Sequence, residues 1–388
     1  MTDIQAPPAQ AHSAANDSMS ADEIALYDRQ IRLWGVQAQE YIRKANVLLI
    51  SMKALANEVA KNLVLAGINT LTIIDHELVT EEDLGAEFFV SMEDVGKNRA
   101  MAAAPRISEL NPRVKVFADN DSIADKHESY VKDFDVIIAT DLNFKTMTVL
   151  NAACRLANKP FYAAGSHGFY GFIFADLISH DFIHEETDSH STRIANTKES
   201  ATRTVINVEV TKEGKSTRQI VTRREMYSPM ILANTSPLPP TFRRNRLAKV
   251  TPLLSCLRAL WDFEEHSEAH HVPQPNSASD IAKFTSLATE KHTLLNLPRE
   301  TLKAEFLRKF LQNVGSQIAP VTAMLGGLLG QDVINVIGKR EQPIQNFCLF
   351  NGDDYDVPVF ALHPVNFEKE GEKSTKLETA VEGMVVVD

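Results

Sequence analysis

The sequence is poor in features that would indicate a secreted or membrane protein. Its 388 residues contain only three cysteines, Cys154, Cys256 and Cys348, and these are widely separated. This number and spacing exclude a disulfide framework and a CxxC metal ribbon, and they indicate a reducing compartment. The N-terminus lacks the basic and apolar regions of a signal peptide, and the longest apolar stretch, 318–329, is too short to span a bilayer. We therefore expect no membrane partner.

Positive charge is also scarce. The chain has 40 Lys and Arg against 51 Asp and Glu, a net charge of −11, which argues against a general nucleic-acid binder. The hydrophobic fraction of 44% is ordinary for a soluble globular protein. Because the chain is longer than one average domain, we expect two domains or one elaborated domain.

A nucleotide-binding turn is present without its glycines. Residues 47–63, VLLISMKALANEVAKNL, have the order of an apolar strand, a short loop and an amphipathic helix, and the next predicted strand ends at Asp75, an acid that could hold a ribose. Phosphate approaches the backbone N–H groups at such a helix start where glycines leave space, yet Ser51, Ala54 and Ala56 carry side chains there. The pattern predicts a nucleotide-binding fold that lacks the glycines needed to bind phosphate, and this favours a partner subunit over a self-sufficient enzyme.

Short apolar strands alternate with amphipathic helices along the first half of the chain. The predicted strands are 47–50, 71–74, 114–118, 135–139 and 160–163, and the predicted helices are 54–66, 97–110 and 143–157. Near the C-terminus, 318–333 predicts a buried helix whose small residues permit close packing, and 347–350 and 357–361 predict strands. Continuous apolar strands are typical of a mostly parallel sheet covered on both faces. The predicted fold class is a doubly wound α/β domain with an insertion.

The domain boundaries follow changes in composition. Residues 1–20 are rich in Ala, Ser, Gln and Pro and predict a disordered tail, whereas the charged residues 366–388 predict a flexible one. Residues 187–313 are first polar and then amphipathic, which predicts an inserted, mainly helical subdomain. Residues 21–186 and 314–365 then form one discontinuous domain.

Four motifs occur in an order that identifies a family. They are YDRQIRLWG at 27–35, NLVLAG at 62–67, VGKNRA at 95–100, and AMLGGLLGQD at 323–332 followed by FNGD at 350–353. The chain resembles the non-catalytic halves of ubiquitin-like-modifier activating enzymes. The resemblance implies a ThiF/MoeB-like pseudo-adenylation fold and an obligate heterodimer with a catalytic subunit. Among these halves, the chain length and the short insertion most resemble the branch that activates SUMO, and nucleus, with cytoplasm as a second location, is the implied localisation.

Arg29 is the predicted functional residue. In the family, the equivalent arginine reaches from the inactive half into the ATP site of the active half, so the resemblance implies that Arg29 contacts ATP in trans. We expect Tyr27, Ile31 and Trp34 to pack inward while Arg29 points away from that apolar face. Without the family, a solvated arginine on a helix face is the simpler interpretation. ATP and magnesium are then bound mainly by the partner.

The region after the ribose acid departs from the pattern of the active halves. Those halves have an arginine and a glutamine on ATP, where this chain has Ala86 and Glu87, and the lysine expected after the Val-Gly motif aligns with Arg99. Loss of the arginine removes a charge-assisted bidentate contact, and Glu87 repels a triphosphate. These departures agree with the lost glycines.

Other candidate groups have simpler interpretations. We expect Asp75 to be a structural end-group of its strand, and Asp141 to be a helix N-cap. The basic run at 243–246 is expected to be a solvated face, with a partner contact as the alternative. The three cysteines are expected to be buried small residues, with the thioester cysteine on the partner.

We predict no metal site in this chain. The pairs His180/His184 and His266/His270 have the i, i+4 spacing of helical ligands, but neither is His-Glu-x-x-His and no third ligand is evident, so we expect surface histidines. Three other functions remain open: a self-sufficient adenylating enzyme, a nicotinamide dehydrogenase, and the same family role for a different modifier. The missing glycines argue against the first two.

Overall fold

The computed structural model describes residues 19–187, 193–213, 216–267 and 271–364. The strands are β1 Asn46–Ile50, β2 Thr70–Ile74, β3 Lys115–Asp119, β4 Val136–Thr140, β5 Phe161–His167, β6 Tyr170–Asp176, β7 Ser179–Thr187, β8 Thr197–Lys198, β9 Arg203–Glu213, β10 Ser216–Met226, β11 Phe347–Asn351 and β12 Val359–Phe360. The helices are α1 Ala21–Leu26, α2 Asp28–Trp34, α3 Val36–Ile42, α4 Ala54–Ala66, α5 Arg99–Leu110, α6 Phe144–Leu156, α7 Met230–Thr235, α8 Arg244–Leu247, α9 Leu253–Glu265, α10 Ala278–Leu294, α11 Ala304–Asn313 and α12 Ala319–Gly338.

The main sheet has the strand order β12-β11-β6-β5-β4-β1-β2-β3. Five neighbouring strands pair in parallel, in the spatial order β5-β4-β1-β2-β3. Strands β6, β11 and β12 continue the sheet beyond β5 with antiparallel pairing. Helix α4 joins β1 to β2, α5 joins β2 to β3, and α6 joins β4 to β5, as the apolar strand and amphipathic helix pattern predicts. The predicted doubly wound, mostly parallel α/β fold is confirmed.

Successive residues of the central strands face opposite layers of the protein. In β1, Leu48 and Ile50 join one core cluster, whereas Val47 and Leu49 join the other. Helices α4, α5 and α12 contribute to the cluster of Val47, and α6, α9, α10 and α11 contribute to the cluster of Leu48. Burial on both faces explains why these strands are apolar throughout.

The insertion differs in part from its prediction. Its helices, α7 to α11, lie within 230–313, but β8, β9 and β10 precede them and form a second, antiparallel sheet with β7 in the order β7-β10-β9-β8. These strands were missed because most of their residues are polar or charged, and a few buried residues such as Val205 and Val221 carry the apolar alternation.

The insertion is also not a separate subdomain. Trp261 of α9 packs edge-on against Phe172 of β6 and Phe347 of β11, with ring centroids 5.2 and 6.0 Å apart, and it stacks on Phe144 of α6. The helices of the insertion therefore cover one face of the main sheet and complete its core. The predicted tails, 1–20 and 366–388, lie outside the described residues except for residues 19 and 20.

Helix α12 is longer than the apolar stretch that predicts it. It runs for 20 residues, and it is the one described helix with the length and composition of a membrane span, so the length argument made from 318–329 was wrong. Most of the apolar window is buried inside the protein, where Leu325 and Leu329 share a core cluster with α4. The prediction of a buried, closely packed helix is confirmed.

Candidate functional site

The degenerate nucleotide turn lies between β1 and α4. Strands β1 and β2 pair in parallel with Ile50 opposite Ile74, so both strands end at the same edge of the sheet. The turn 51–53 follows β1, α4 begins at Ala54, and Asp75 follows β2. The layout predicted from the sequence is confirmed.

Ser51 has a backbone conformation that suits glycine. Its φ is 67°, in the left-handed region, and its side chain is buried. A residue with a Cβ loses roughly 1–2 kcal/mol in this conformation. Its N–H donates to the carbonyl of Ile74 at 2.9 Å, whereas its Oγ has no hydrogen-bond partner among the described residues. The turn thus keeps the backbone path of a glycine turn while a side chain fills its interior.

Two backbone donors at the start of α4 already have acceptors within the chain. The N–H of Met52 donates to Oδ2 of Asp75 at 2.8 Å, and the N–H of Ala54 donates to Oε1 of Gln317 at 2.7 Å. Gln317 lies just before α12, distant in sequence, and sequence analysis gave no indication of this contact. Donors at a helix start are the groups that bind phosphate in an open site. Here two side-chain oxygens take that place.

Arg99 lies buried beside Asp75, at the position that aligns with the expected lysine. It is only 3% exposed. Its Nη1 lies 3.0 Å from Oδ2 of Asp75 and 2.9 Å from Oε2 of Glu77, and its Nη2 lies 3.1 Å from Oδ2 of Asp83. Both outer nitrogens of the guanidinium are therefore committed to carboxylates of the chain. Asp75 is a structural end-group, as predicted, because it binds Arg99 as well as the turn.

Glu87 faces the same guanidinium. Its Oε2 lies 3.5 Å from Nε of Arg99, and the residue is 2% exposed. Burial, together with the neighbouring Asp83 and Asp75, raises the pKa of Glu87 to about 8 against the attraction of Arg99. The carboxyl group is thus largely protonated at neutral pH. The repulsion of a triphosphate expected from Glu87 is accordingly weaker than its sequence position suggests.

The prediction that Asp141 is a helix N-cap was wrong. It has a left-handed φ of 50°, and Asn143 caps α6 through a bond from the N–H of Thr146 at 2.8 Å. Asp141 instead accepts the N–H of Ser166 at 2.8 Å, and burial raises the pKa of its carboxyl group. The N-cap therefore lies two residues later than predicted, and a sequence pattern does not fix the start of a helix to within two residues.

Arg29 lies on α2, exposed, and no ion pair or hydrogen bond of its side chain occurs among the described residues. The helix is anchored beneath it. Tyr27 is buried and its hydroxyl accepts from Asn111 at 2.9 Å, whereas Gln30 donates to the carbonyl of Leu65 at 3.1 Å. The buried position of Tyr27 and the outward position of Arg29 agree with the predicted helix face.

The anchoring of α2 places Arg29 far from the turn of its own chain. Leu65 and the left-handed Gly67 stand at the C-terminal end of α4, and the turn stands at its N-terminal end. A helix of this length, Ala54–Ala66, spans roughly 20 Å. Arg29 and the degenerate turn are therefore two separate features, and the structure does not bring them together.

An open groove of about 500 Å³ lies beside α2, and sequence analysis did not predict it. Its lining includes Leu33 from α2, Leu65 from α4, and Gly327 and Ile334 from α12. Leu33 is 81% exposed and Leu65 is 44% exposed. The two leucines thus give the groove an exposed apolar part, beside polar lining residues such as Asn62 and Gln331.

The remaining candidates are structural. The cysteines are buried as predicted, and burial raises the pKa of each thiol, that of Cys348 to about 12. Among the described residues, no group of three or more His, Cys, Asp or Glu is placed to hold a metal. His180 and His184 lie on β7, so their spacing is not helical, and His270 lies outside the described residues.

Comparison with known proteins extends over nearly the whole chain. The model of the ThiF family matches residues 27–370. The DNA damage tolerance protein RHC31 of Saccharomyces cerevisiae is 36% identical over 349 residues, which are 89% of this chain and 98% of that protein. The DNA damage tolerance protein rad31 of Schizosaccharomyces pombe is 33% identical over 347 residues, 89% and 99% of the two chains. The SUMO-activating enzyme subunit 1 of Homo sapiens is 31% identical over 341 residues, 87% and 94%.

Proposed function

The chain belongs to the ThiF family, and on this premise we propose that it is the smaller, regulatory subunit of a heterodimeric SUMO-activating enzyme. The extent of its similarity to SUMO-activating enzyme subunit 1 supports this role. In the assembled enzyme, the C-terminal carboxylate of SUMO reacts with ATP to give an acyl adenylate and pyrophosphate. The acyl group then passes to a cysteine thiol of the partner as a thioester, and AMP leaves. The buried thiols of this chain are consistent with a reactive cysteine on the partner.

The partner holds ATP and magnesium in this proposal, because the degenerate turn does not fit a triphosphate. A phosphate would have to displace Asp75 from the N–H of Met52 and Gln317 from the N–H of Ala54. It would also meet the Cβ of Ser51 in a buried turn. Neutralisation by Arg99 is lost as well, since its outer nitrogens bind carboxylates. These contacts carry the assignment of a regulatory role.

The groove between α2, α4 and α12 is the proposed surface for the catalytic subunit. Permanent hetero-complexes have large, apolar interfaces. The exposed Leu33 and Leu65 supply apolar area, and the adjacent Arg29 is then carried to the edge of the partner. This arrangement allows one helix to bind the partner and to deliver a guanidinium to the ATP that it holds. We propose a nuclear location, with cytoplasm as a second, for the assembled enzyme.

Replacement of Arg29 by alanine tests the proposed contact in trans. The Arg29→Ala heterodimer should adenylate SUMO more slowly, because the partner's triphosphate loses a positioned positive charge. Pyrophosphate exchange measures this step, and gel filtration reports whether the dimer persists. The helix should be retained, since alanine is a good helix former.

Arg32→Ala is the matched control. Arg32 lies on the same helix, is also exposed, and pairs with Asp28 at 2.9 Å. This control should exchange pyrophosphate at the wild-type rate. If both variants exchange normally, Arg29 is a surface residue only. If Arg29→Ala also loses the dimer, its role is structural and the assignment to ATP is wrong.

A further inference from the structure

A cationic surface segment stands out on this acidic protein. No Asp or Glu occurs between Glu225 and Asp262, although the chain has a net charge of −11. Within this interval, the side chains of Arg243, Arg244, Arg246 and Lys249, here named the basic segment, are all exposed. The local charge is therefore opposite in sign to that of the whole protein.

The backbone of the basic segment is held in short helical turns. The N–H of Leu247 donates to the carbonyl of Arg243 at 3.0 Å, and the N–H of Lys249 donates to that of Arg246 at 3.0 Å. Leu247 packs against the core cluster that contains buried Val250. Arg243, Arg246 and Lys249 are three residues apart, a spacing that brings side chains together on a helical turn. The cations are thus presented together by a fixed backbone.

The guanidinium group of Arg246 is also held in place by a contact of its own. The guanidinium carbon of Arg246 lies 3.7 Å from the ring centroid of Phe242, in a cation–π contact. The ring of Phe242 in turn lies 6.3 Å from that of Phe360 in β12, the edge strand of the main sheet. Arg246 is consequently preorganised at the surface, which lowers the entropy lost when it binds an anion.

None of the four cations has a carboxylate partner within the described ranges. Elsewhere, exposed arginines such as Arg224 and Arg218 pair with Asp181 and Glu185. Neighbouring like charges destabilise a helical turn. The like-charge repulsion within the basic segment is therefore not offset by carboxylates of the described residues, and binding of an anionic group from another molecule would relieve it.

We propose that the basic segment docks an extended acidic segment of another protein. A short run of carboxylates matches the four cations in sign and in reach, and guanidinium groups bind carboxylates through paired hydrogen bonds. Nucleic acid is disfavoured, because its binding depends mainly on the number of phosphates neutralised, and the basic segment supplies only four cations. The net charge of the remaining protein would also repel a long polyanion.

The test is the binding of a dye-labelled peptide, in which glutamate alternates with serine, to the full chain, measured by fluorescence anisotropy. The wild-type protein should bind the peptide at low salt, and added salt should weaken the binding. The triple variant Arg243→Gln, Arg246→Gln and Lys249→Gln should bind at least about tenfold more weakly. Its thermal unfolding should stay close to that of the wild-type protein, because loss of the contact between Arg246 and Phe242 and loss of the like-charge repulsion oppose each other, at about 1 kcal/mol or less each.

A control variant with Lys132→Gln, Lys303→Gln and Arg308→Gln removes the same charge from exposed positions elsewhere and should bind as the wild-type protein does. Equal weakening in both triple variants would reduce the effect to net charge and overturn the proposal. Absence of peptide binding by the wild-type protein would overturn it as well. So would tighter binding of a single-stranded oligonucleotide of equal charge, since the occupant would then be nucleic acid.

Discussion

Among the buried side chains around Arg99, beside the degenerate turn, Glu87 has the environment that most affects stability. Its burial beside Asp83 and Asp75 outweighs the attraction of Arg99, so the folded protein holds its proton up to about pH 8. The unfolded chain releases this proton near pH 4.5, the ordinary value. Since the folded-state pKa is the higher one, the contribution of Glu87 to stability is full at acidic pH and is lost as the pH rises from about 4.5 to about 8.

We therefore predict that Glu87→Gln stabilises the protein selectively at alkaline pH. The amide keeps the shape of the protonated acid and never ionises. The free energy of unfolding of the variant, relative to the wild-type protein, should rise by about 4 kcal/mol between pH 5 and pH 8.5, because each pKa unit of difference between the folded and unfolded states is worth about 1.4 kcal/mol. Urea unfolding at the two pH values measures the difference. Glu93→Gln, at an exposed position nearby, is the control and should show no such change; an equal difference at both pH values for Glu87→Gln would contradict the assigned pKa.

Helices α4 and α12 pack so closely that a side chain is excluded at one glycine of α12 and accommodated at the next. A Cβ added at Gly326 would lie 2.4 Å from Cβ of Glu58 and 3.3 Å from the carbonyl oxygen of Leu55, both in α4. A Cβ added at the next residue, Gly327, would meet no atom within 4 Å. The small residues of this helix therefore have different roles, although the sequence shows them as one motif.

Gly326→Ala should destabilise the isolated chain by about 1–3 kcal/mol, as overpacking does in other cores. Gly327→Ala is its neighbour and control, and should stabilise the chain by up to about 1 kcal/mol because alanine favours the helix. Urea denaturation of the two variants measures both effects. Equal stability of the two would show that α4 and α12 separate freely.

Sequence patterns predicted the parallel strands and their helices because burial on both faces makes them apolar. Sequence patterns failed where a strand has mostly polar residues and where a contact joins residues far apart in the chain. Strands β9 and β10 carry charged side chains on an exposed sheet, so their alternation was hidden. The contact between Gln317 and Ala54 joins residues far apart in the chain, and the pairing of Arg99 with three acids depends on the folded positions of their loops. Local periodicity contains neither kind of information.

The molecule as a whole presents two unlike surfaces, an apolar groove beside α2 and a cationic segment at α8. The groove combines Leu33 and Leu65 from different helices, so it exists only in the folded chain. The basic segment occupies an insertion whose helices complete the core of the main sheet. The same packing that stabilises the domain thus fixes both surfaces, and a variant in one should leave the other unchanged.

Leu33→Glu should prevent stable assembly with the catalytic subunit. A charge placed in an apolar interface loses its hydration, and a central contact of this kind is worth about 2 kcal/mol or more. Co-purification of tagged partner and variant measures assembly, and circular dichroism confirms the fold. Val149→Glu, at an exposed apolar position on α6, is the control and should assemble normally. Normal recovery of the Leu33→Glu heterodimer would exclude the groove from the interface.

The hydrogen bonds at the start of α4 also bear on the history of this fold. Asp75 and Gln317 satisfy two backbone donors, Ser51 fills the turn, and Arg99 is enclosed by acids contributed from separate segments. Restoring any one of these positions leaves the other obstacles in place, so a single reversion yields no gain that selection could retain. Under the proposed regulatory role, recovery of nucleotide binding would therefore need several simultaneous changes, and the chain would stay dependent on its partner.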